Sequence, residues 1–335
     1  MACSVSRARW RSRSISTIPY ELFPEKVAVV GHRPQASGLP GSPQCPMNPH
    51  RQAVQDFLRE TEEFNRRAES AGLGDLSPYL WYHTVELPPD LVTPGLFDFR
   101  ASLPFFHFPQ DMRGLNVLDV GSATGFFAFE LEKRGAKVVC VELPSLEALD
   151  RFPGQSVEQT AEKIKGMVAL ESTGAFGQRI RSYTPGELYH YLLEAPFELC
   201  RKLLHSKVER HFSTVYELSP SLFGIPAFDW VFMGDILLHT LNPLGALASA
   251  ASLCRGVLVL SQDMPEAPDG QPAMHYVGGE DPVEDQVSWW LPNKTCLVQL
   301  LKKLGFHDVF EAGHHRGVQR PFGYVYNRTV LHARK

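Results

Sequence analysis

The sequence has few of the features that mark a disulfide-stabilised protein, a metalloprotein or a membrane protein. Its six cysteines form no C-x-x-C pair and none stands at metal-ligand spacing from a histidine. The thiols are therefore predicted to be reduced, as in the cytoplasm, and no metal site is predicted. No apolar run is long enough to cross a bilayer. With 33 basic and 37 acidic residues, the chain has no general attraction for nucleic-acid phosphates.

The N-terminal segment is poor in acids and rich in arginine and serine. No acid precedes Glu21, and residues 31–49 are rich in proline, glycine and serine. We interpret residues 1–45 as a disordered leader and linker. The same composition is compatible with an organellar transit peptide, so organellar import is the alternative to a cytoplasmic location. The segment has no clear apolar stripe, which favours the leader.

The stretch from Asn116 to Glu142, NVLDVGSATGFFAFELEKRGAKVVCVE, reads as a βαβ unit. Residues 117–120 are a short apolar run typical of a parallel strand, and the next five residues are small ones that let backbone approach a ligand. A helix is predicted to begin at Phe126, which directs its free N–H groups into the turn. Glu142 ends the second strand, where an acid commonly accepts hydrogen bonds from ribose hydroxyls. The unit predicts a nucleotide site.

The spacing of the glycines argues against a dinucleotide. A pyrophosphate site needs G-x-G-x-x-G, whereas Gly121 and Gly125 stand four apart with Ala123 between them, and Asp119 precedes the first glycine by two. This D-x-G-x-A-x-G pattern resembles motif I of the class I S-adenosylmethionine-dependent methyltransferases, which usually have glycine in place of Ala123. The alternative is that any βαβ unit needs small residues in its turn.

Further apolar segments follow the order expected of that fold. They are strand three at residues 214–220, strand four at 230–233, strand five at 256–261, a helix at 295–304 and a last strand at 324–333. We predict a Rossmann-like, doubly wound α/β sheet of seven strands with one antiparallel member, over residues 114–333. The resemblance to the methyltransferases implies that S-adenosylmethionine is held by Asp119, Gly121, Ser122, Ala123, Gly125, Glu142, Glu217, Leu218 and Gly234.

A closer resemblance rests on short motifs between residues 78 and 333. These are Trp81-Tyr82-His83, Thr93-Pro94-Gly95, VYELSP at 215–220, GDILLH at 234–239 and Trp290-Leu291-Pro292-Asn293. Together they resemble the family of the tRNA wobble-uridine methyltransferase and carboxymethyltransferase, and its uncharacterised bacterial relatives more closely still. The carboxymethyltransferase holds a carboxylated cofactor with a lysine, a tyrosine and an arginine. Here only the arginine has a match, Arg328, because Leu238 replaces the tyrosine and residues 78–112 contain no lysine. The resemblance therefore implies ordinary S-adenosylmethionine.

Two histidines are the candidates for catalysis. His239 follows strand four by about one helical turn, where the family pattern keeps a histidine, and His83 is the second candidate. Either would serve as general base if the acceptor is a hydroxyl group. The alternative for His239 is a structural role in capping or packing the helix.

Two regions outside the predicted sheet are expected to select the methyl acceptor. Residues 46–113 are predicted to form a helical cap, whose helix has a stripe of apolar side chains from Val54 to Ala68. Residues 150–207 form an insertion after strand two, predicted to be a lid on the acceptor side. Its aromatic residues line either an acceptor pocket or the insertion's own core: Phe176, Tyr183, Tyr189 and Tyr191. The basic residues near its end are interpreted as a solvated helix end: Arg201, Lys202, Lys207 and Arg210.

We therefore consider three functions. A methyltransferase acting on a small-molecule acceptor is favoured by the acidic balance, the aromatic insertion and the intact cofactor motif. A tRNA-modifying enzyme is the alternative favoured by the family resemblance, and a cluster of basic residues at the mouth of the cofactor pocket would distinguish it. A non-catalytic binding module is the third, favoured by Ala123 and the incomplete carboxylated-cofactor set.

Overall fold

The computed structural model of the protein describes residues 49–169, 173–280, 287–321 and 323–335. The predicted leader, residues 1–45, lies outside this part of the chain. No helix among the described residues is both long enough and apolar enough to span a membrane.

Seven strands form the central sheet. The strands of the described chain are β1 (Glu86–Leu87), β2 (Leu91–Val92), β3 (Asn116–Val120), β4 (Lys137–Glu142), β5 (Glu209–Phe212), β6 (Phe228–Gly234), β7 (Cys254–Gln262), β8 (Met274–Tyr276), β9 (Trp290–Pro292), β10 (Asp308–Gln319) and β11 (Tyr324–Arg334). The sheet order is β10-β11-β7-β6-β3-β4-β5, and β1-β2 and β8-β9 are separate pairs. β11 pairs antiparallel with both of its neighbours, whereas the pairs from β5 to β7 are parallel. The predicted sheet with one antiparallel member is confirmed.

Helices cover the two faces of this sheet. The α-helices are α1 (Pro49–Ser70), α2 (Phe126–Lys133), α3 (Val157–Gly166), α4 (Gly174–Ser182), α5 (Pro185–Tyr189), α6 (Ala195–Leu203), α7 (Pro220–Phe223), α8 (Pro243–Leu253) and α9 (Lys294–Lys303), and a π-helical turn, His190–Glu194, joins α5 to α6. The chain leaves β3 toward β4 and β5 on one side, then returns to β6 and β7 on the other. This topological switch point places a ligand crevice beyond the carboxyl ends of β3 and β6.

Successive residues of the inner strands pack on opposite faces. Leu118 of β3 lies in a core with α8 and α9, while Val117 lies in a core with α2 and the cap. Phe64 and Ala68 of α1 belong to that second core, so the C-terminal part of α1 packs against the sheet domain. The cap therefore shares a core with the sheet domain across the predicted boundary at residues 113 and 114.

The segment between β4 and β5 shares a core with the cap, which contributes Phe57, Leu80 and Leu96. Tyr183 and Tyr189 are buried in it, and Phe176 and Tyr191 pack against it. A capping box at Thr184 and Glu187 opens α5, in agreement with the sequence pattern. The aromatic residues of the insertion thus belong to a core that the insertion shares with the cap.

The position of strand three was predicted wrongly. The strand is β5, at Glu209–Phe212, whereas residues 214–217 form a turn and α7 begins at Pro220. Among the described residues, β5 is an edge strand that pairs only with β4. Two of its four residues are therefore largely exposed, and it lacks the apolar run of an inner strand.

Candidate active site

The turn between β3 and α2 has the backbone of a ligand-binding turn. Gly121 and Gly125 have φ of 76° and 87°, and Ala123 has φ of 46°, a left-handed conformation that costs a residue with a side chain about 1 kcal/mol. Gly121 also lies under Ile236, whose Cδ1 would be 2.2 Å from a β-carbon added there. Only glycine meets both demands at position 121, and Ala123 is accommodated without breaking the turn.

Glu142 holds this turn at the end of β4. Its Oε2 accepts the N–H of Ala123 at 2.8 Å, and its Oε1 accepts the N–H of Leu143 at 3.0 Å. Nη2 of Arg210, on β5, lies 3.4 Å from the same Oε2. The carboxylate therefore fixes the glycine turn and still lies at the switch point, where a ribose is expected.

Asp119 is buried beneath the turn. The N–H of Ala128, in the first turn of α2, donates to its carboxyl group. Burial raises the pKa of Asp119 to about 7, the neighbouring Glu142 adds to this rise, and Arg210 opposes it. The negative charge of Asp119 therefore destabilises the folded protein when no ligand is bound.

Several buried polar atoms without a hydrogen-bond partner lie near the carboxyl ends of the strands or on the parts of β10 and β11 beside them. Among the described residues, they are His83 Nδ1, Asp119 Oδ2, Ser122 Oγ, Gln262 Nε2, His315 Nδ1 and Tyr326 OH. Buried polar atoms in proteins are nearly always hydrogen-bonded. Such a concentration fits a site that receives a polar ligand.

A buried ion pair lies beyond the end of β6. Asp235 has φ of 52°, and Nε of Arg328, on β11, donates to its Oδ2 at 2.8 Å. The Arg328 side chain is only 12% exposed. Burial raises the pKa of Tyr82 in the cap, and the charge of Asp235 adds to the rise, so Tyr82 remains a neutral hydroxyl beside this pair.

The two candidate bases differ in their surroundings. Nδ1 of His239 contacts the carbonyl oxygen of Val287, so Nδ1 carries the proton and Nε2 has the free lone pair. Burial lowers the pKa of His239, which leaves it neutral at pH 7. Burial lowers the pKa of His83 to about 3, and its ring is packed against Phe99 and Phe127. The environment favours His239 as a base.

Most of the predicted cofactor residues meet at this edge of the sheet: Asp119, Gly121, Ser122, Ala123, Gly125, Glu142 and Gly234. Glu217 does not, because it is exposed and bonded to Thr214 Oγ1 at 2.9 Å in the turn after β5. Leu218 is buried in the core with α8. Their roles in binding stay predictions.

Arg210 was missed. The sequence pattern indicates a solvated helix end at this residue, but its side chain is 4% exposed and it lies on β5. The error follows from the misplaced strand three. An arginine inside a strand next to the acid-ended strand is the signal that would have found it.

No family model matches. The magnesium-protoporphyrin O-methyltransferase of Rhodobacter capsulatus is 29% identical over 137 residues, which are 40% of this chain and 58% of that protein. The chain thus matches little more than half the length of this curated relative.

The similar solved structures include three with a bound or added ligand. The N-terminal domain of EvdMO1, in the presence of SAH and D-fucose, has 17% identity and a TM-score of 0.44, with 82% of this chain and 96% of that one covered. The 1,6-didemethyltoxoflavin-N1-methyltransferase of Burkholderia thailandensis has 16% identity and a TM-score of 0.41, with 88% of this chain and 92% of that one covered. The magnesium protoporphyrin IX methyltransferase of Synechocystis PCC 6803, with bound SAM, has 15% identity and a TM-score of 0.36, with 70% of this chain and 76% of that one covered.

The assignment of the fold rests on the sheet itself. Its first strand β3 is central, its last strand β11 is antiparallel and inserted between β7 and β10, and a glycine turn follows β3. The chain therefore has the Rossmann-like fold of the class I S-adenosylmethionine-dependent methyltransferases.

Proposed function

We propose that the protein is an S-adenosylmethionine-dependent methyltransferase acting on a small-molecule acceptor. The observation that carries the proposal is the set of buried or partly buried acids around the glycine turn and the strand ends. Four carboxyl groups face two guanidinium groups there: Asp119, Glu142, Asp235 and Asp263 against Arg210 and Arg328. S-adenosylmethionine has a sulfonium, an ammonium and a carboxylate group. Its net positive charge complements this excess of carboxyl groups.

The residues around the turn fit the parts of this cofactor. Glu142 would accept hydrogen bonds from the ribose hydroxyls. The backbone of residues 121–125 allows close approach, and the unpartnered Oδ2 of Asp119 and Oγ of Ser122 would meet the polar groups of the ligand. When bound, S-adenosylmethionine supplies a methyl group on a positively charged sulfur, a strong electrophile. The protein then has to align the acceptor and exclude water.

We assign to His239 the role of the general base that removes the acceptor's proton. Its Nε2 lone pair is free because Nδ1 is held by Val287. If the acceptor is a hydroxyl group, Nε2 would take its proton as the oxygen becomes methylated. The curated relative is named as an O-methyltransferase, which supports oxygen as the methylated atom.

The tRNA-modifying alternative has less support. It calls for unpaired basic residues at the pocket mouth, but Arg210 is buried beside Glu142 and Arg328 is paired with Asp235. Arg201, from the same predicted basic patch, is paired with Glu198 at 2.8 Å. Because Asp235 neutralises Arg328, that arginine would bind the extra carboxylate of a carboxylated cofactor less strongly. Ordinary S-adenosylmethionine has no such group and loses nothing.

The test follows a labelled methyl group. The protein is incubated with methyl-labelled S-adenosylmethionine and either a metabolite extract filtered to remove macromolecules or bulk tRNA. We expect label in a small organic product and none in tRNA beyond a control with protein inactivated by heat. Label in tRNA would support the alternative, and binding of the cofactor without transfer to either fraction would favour a non-catalytic module.

A further inference from the structure

Arg210 has an unusual position for an arginine on an edge strand. It belongs to β5, which pairs with no strand of the described chain other than β4, yet its side chain is 4% exposed. The guanidinium lies over the ring of Phe197 in α6, 4.3 Å from the ring centroid. Burying a cation in this way is costly unless it is paired and hydrogen-bonded, so its partners are informative.

The partners of Arg210 come from three different elements. Nη2 lies 3.4 Å from Glu142 Oε2 and donates to the carbonyl oxygen of Ala123 in the glycine turn at 3.2 Å. Nη1 donates to the carbonyl oxygen of Leu193, in the π-helical turn of the insertion, at 2.9 Å. One planar guanidinium thus joins the end of β4, the glycine turn and the insertion. The ammonium group of a lysine has no fixed fork with which to span the same three acceptors.

We propose that Arg210 is a positioning residue for the ribose of the cofactor, acting through Glu142, an inference that rests on the proposed function. The carboxylate of Glu142 already accepts the N–H groups of Ala123 and Leu143. Arg210 provides the opposing charge on the side of Oε2, which holds this carboxylate in place. The remaining lone pairs of Glu142 are then directed to the ribose hydroxyls.

The same contacts tie the insertion to the cofactor site. Leu193 and Phe197 belong to the insertion, whereas Ala123 and Glu142 form the site, and Arg210 contacts all four. Loss of Arg210 is therefore expected to loosen recognition of the ribose rather than to weaken every cofactor contact alike.

The test measures ribose recognition separately from overall affinity. Calorimetry compares S-adenosylhomocysteine with its 2′,3′-dideoxyribose analogue in the wild type, Arg210→Met, Arg210→Lys and Arg201→Met. Arg201 is the matched control, since it is a partly exposed arginine paired with Glu198. Losing hydrogen bonds to a charged group should make the wild type prefer the natural compound by about 10- to 100-fold. We expect this preference to fall to about threefold or less in Arg210→Met, to be intermediate in Arg210→Lys, and to be unchanged in Arg201→Met.

The outcomes separate the possible failures. If Arg210→Met and Arg210→Lys weaken both compounds by the same factor and keep the wild-type preference, Arg210 is merely structural and the proposal is overturned. If Arg210→Met does not fold, the preference of Arg210→Lys decides in the same way. A wild type that binds neither compound would instead overturn the proposed function on which the inference rests.

Discussion

Replacing Asp119 by asparagine should stabilise the ligand-free protein at pH 8. Asparagine has nearly the same shape and keeps an oxygen for the N–H of Ala128, which Asp119 accepts in the native protein. It removes a charge that is buried beside the carboxyl group of Glu142. A side chain that lowers stability in this way is expected at a ligand site, where function and stability conflict.

The size and sign of the effect follow from the raised pKa of Asp119. Burial raises that pKa from 3.8 to about 7, so the folded state binds the proton more tightly than the unfolded state. The stability from this group is complete below about pH 4 and is lost as the pH rises through about 7. A tenfold change in proton affinity is worth about 1.4 kcal/mol, which sets an upper limit of about 4 kcal/mol at pH 8. We expect Asp119→Asn to recover about 1 to 4 kcal/mol there.

Urea unfolding of both proteins at a series of pH values from 4 to 8 measures the difference. The free energies of unfolding should agree near pH 4 and diverge in favour of the variant as the pH rises. Asp111→Asn is the control, because Asp111 is exposed and its pKa is lowered by Arg113. A difference that is flat with pH, or an Asp119→Asn protein less stable than the wild type at pH 8, would refute the reasoning.

Two further predictions concern the base and the cap. His239→Ala should keep its affinity for S-adenosylhomocysteine and lower turnover by about 10²- to 10⁴-fold. Because the pKa of His239 is lowered, the turnover of the wild type should be independent of pH above pH 7 and should fall only below about pH 6.5. Unchanged turnover would make His239 structural. Gly95→Ala should cost about 1 to 3 kcal/mol in urea unfolding, since the new β-carbon would lie 2.1 Å from the backbone of His83. Gly186→Ala, with open space around it, should cause no such loss.

The parts of the fold that were predicted from the sequence are those with local signals. Residues 116–142 contain two buried strands, a glycine turn and a helix in one continuous stretch, so their order and their buried faces can be read without knowing the rest of the chain. The same holds for α1, whose apolar stripe shows its buried face. Inner strands are apolar because both of their faces are covered.

The parts that were missed depend on pairings between distant residues. β5 has one neighbour and little apolar character, so its sequence does not distinguish it from a loop. Arg210 can be placed next to Glu142 only through the register that sets Arg210 opposite Cys140 and Phe212 opposite Glu142. The raised pKa of Asp119 depends on the burial of three ionisable groups together, which residue type alone does not reveal.

The central claim is that the edge of the sheet at β3 and β4 binds S-adenosylmethionine through Glu142. Calorimetric titration with S-adenosylhomocysteine tests it most directly, on the wild type, Glu142→Gln and Glu63→Gln, whose exposed carboxylate on α1 is paired with Arg66 and serves as the control. We predict one site per chain in the wild type, a loss of affinity of about 10- to 100-fold in Glu142→Gln, and wild-type affinity in Glu63→Gln. No binding by the wild type, or equal binding by Glu142→Gln, would contradict the account.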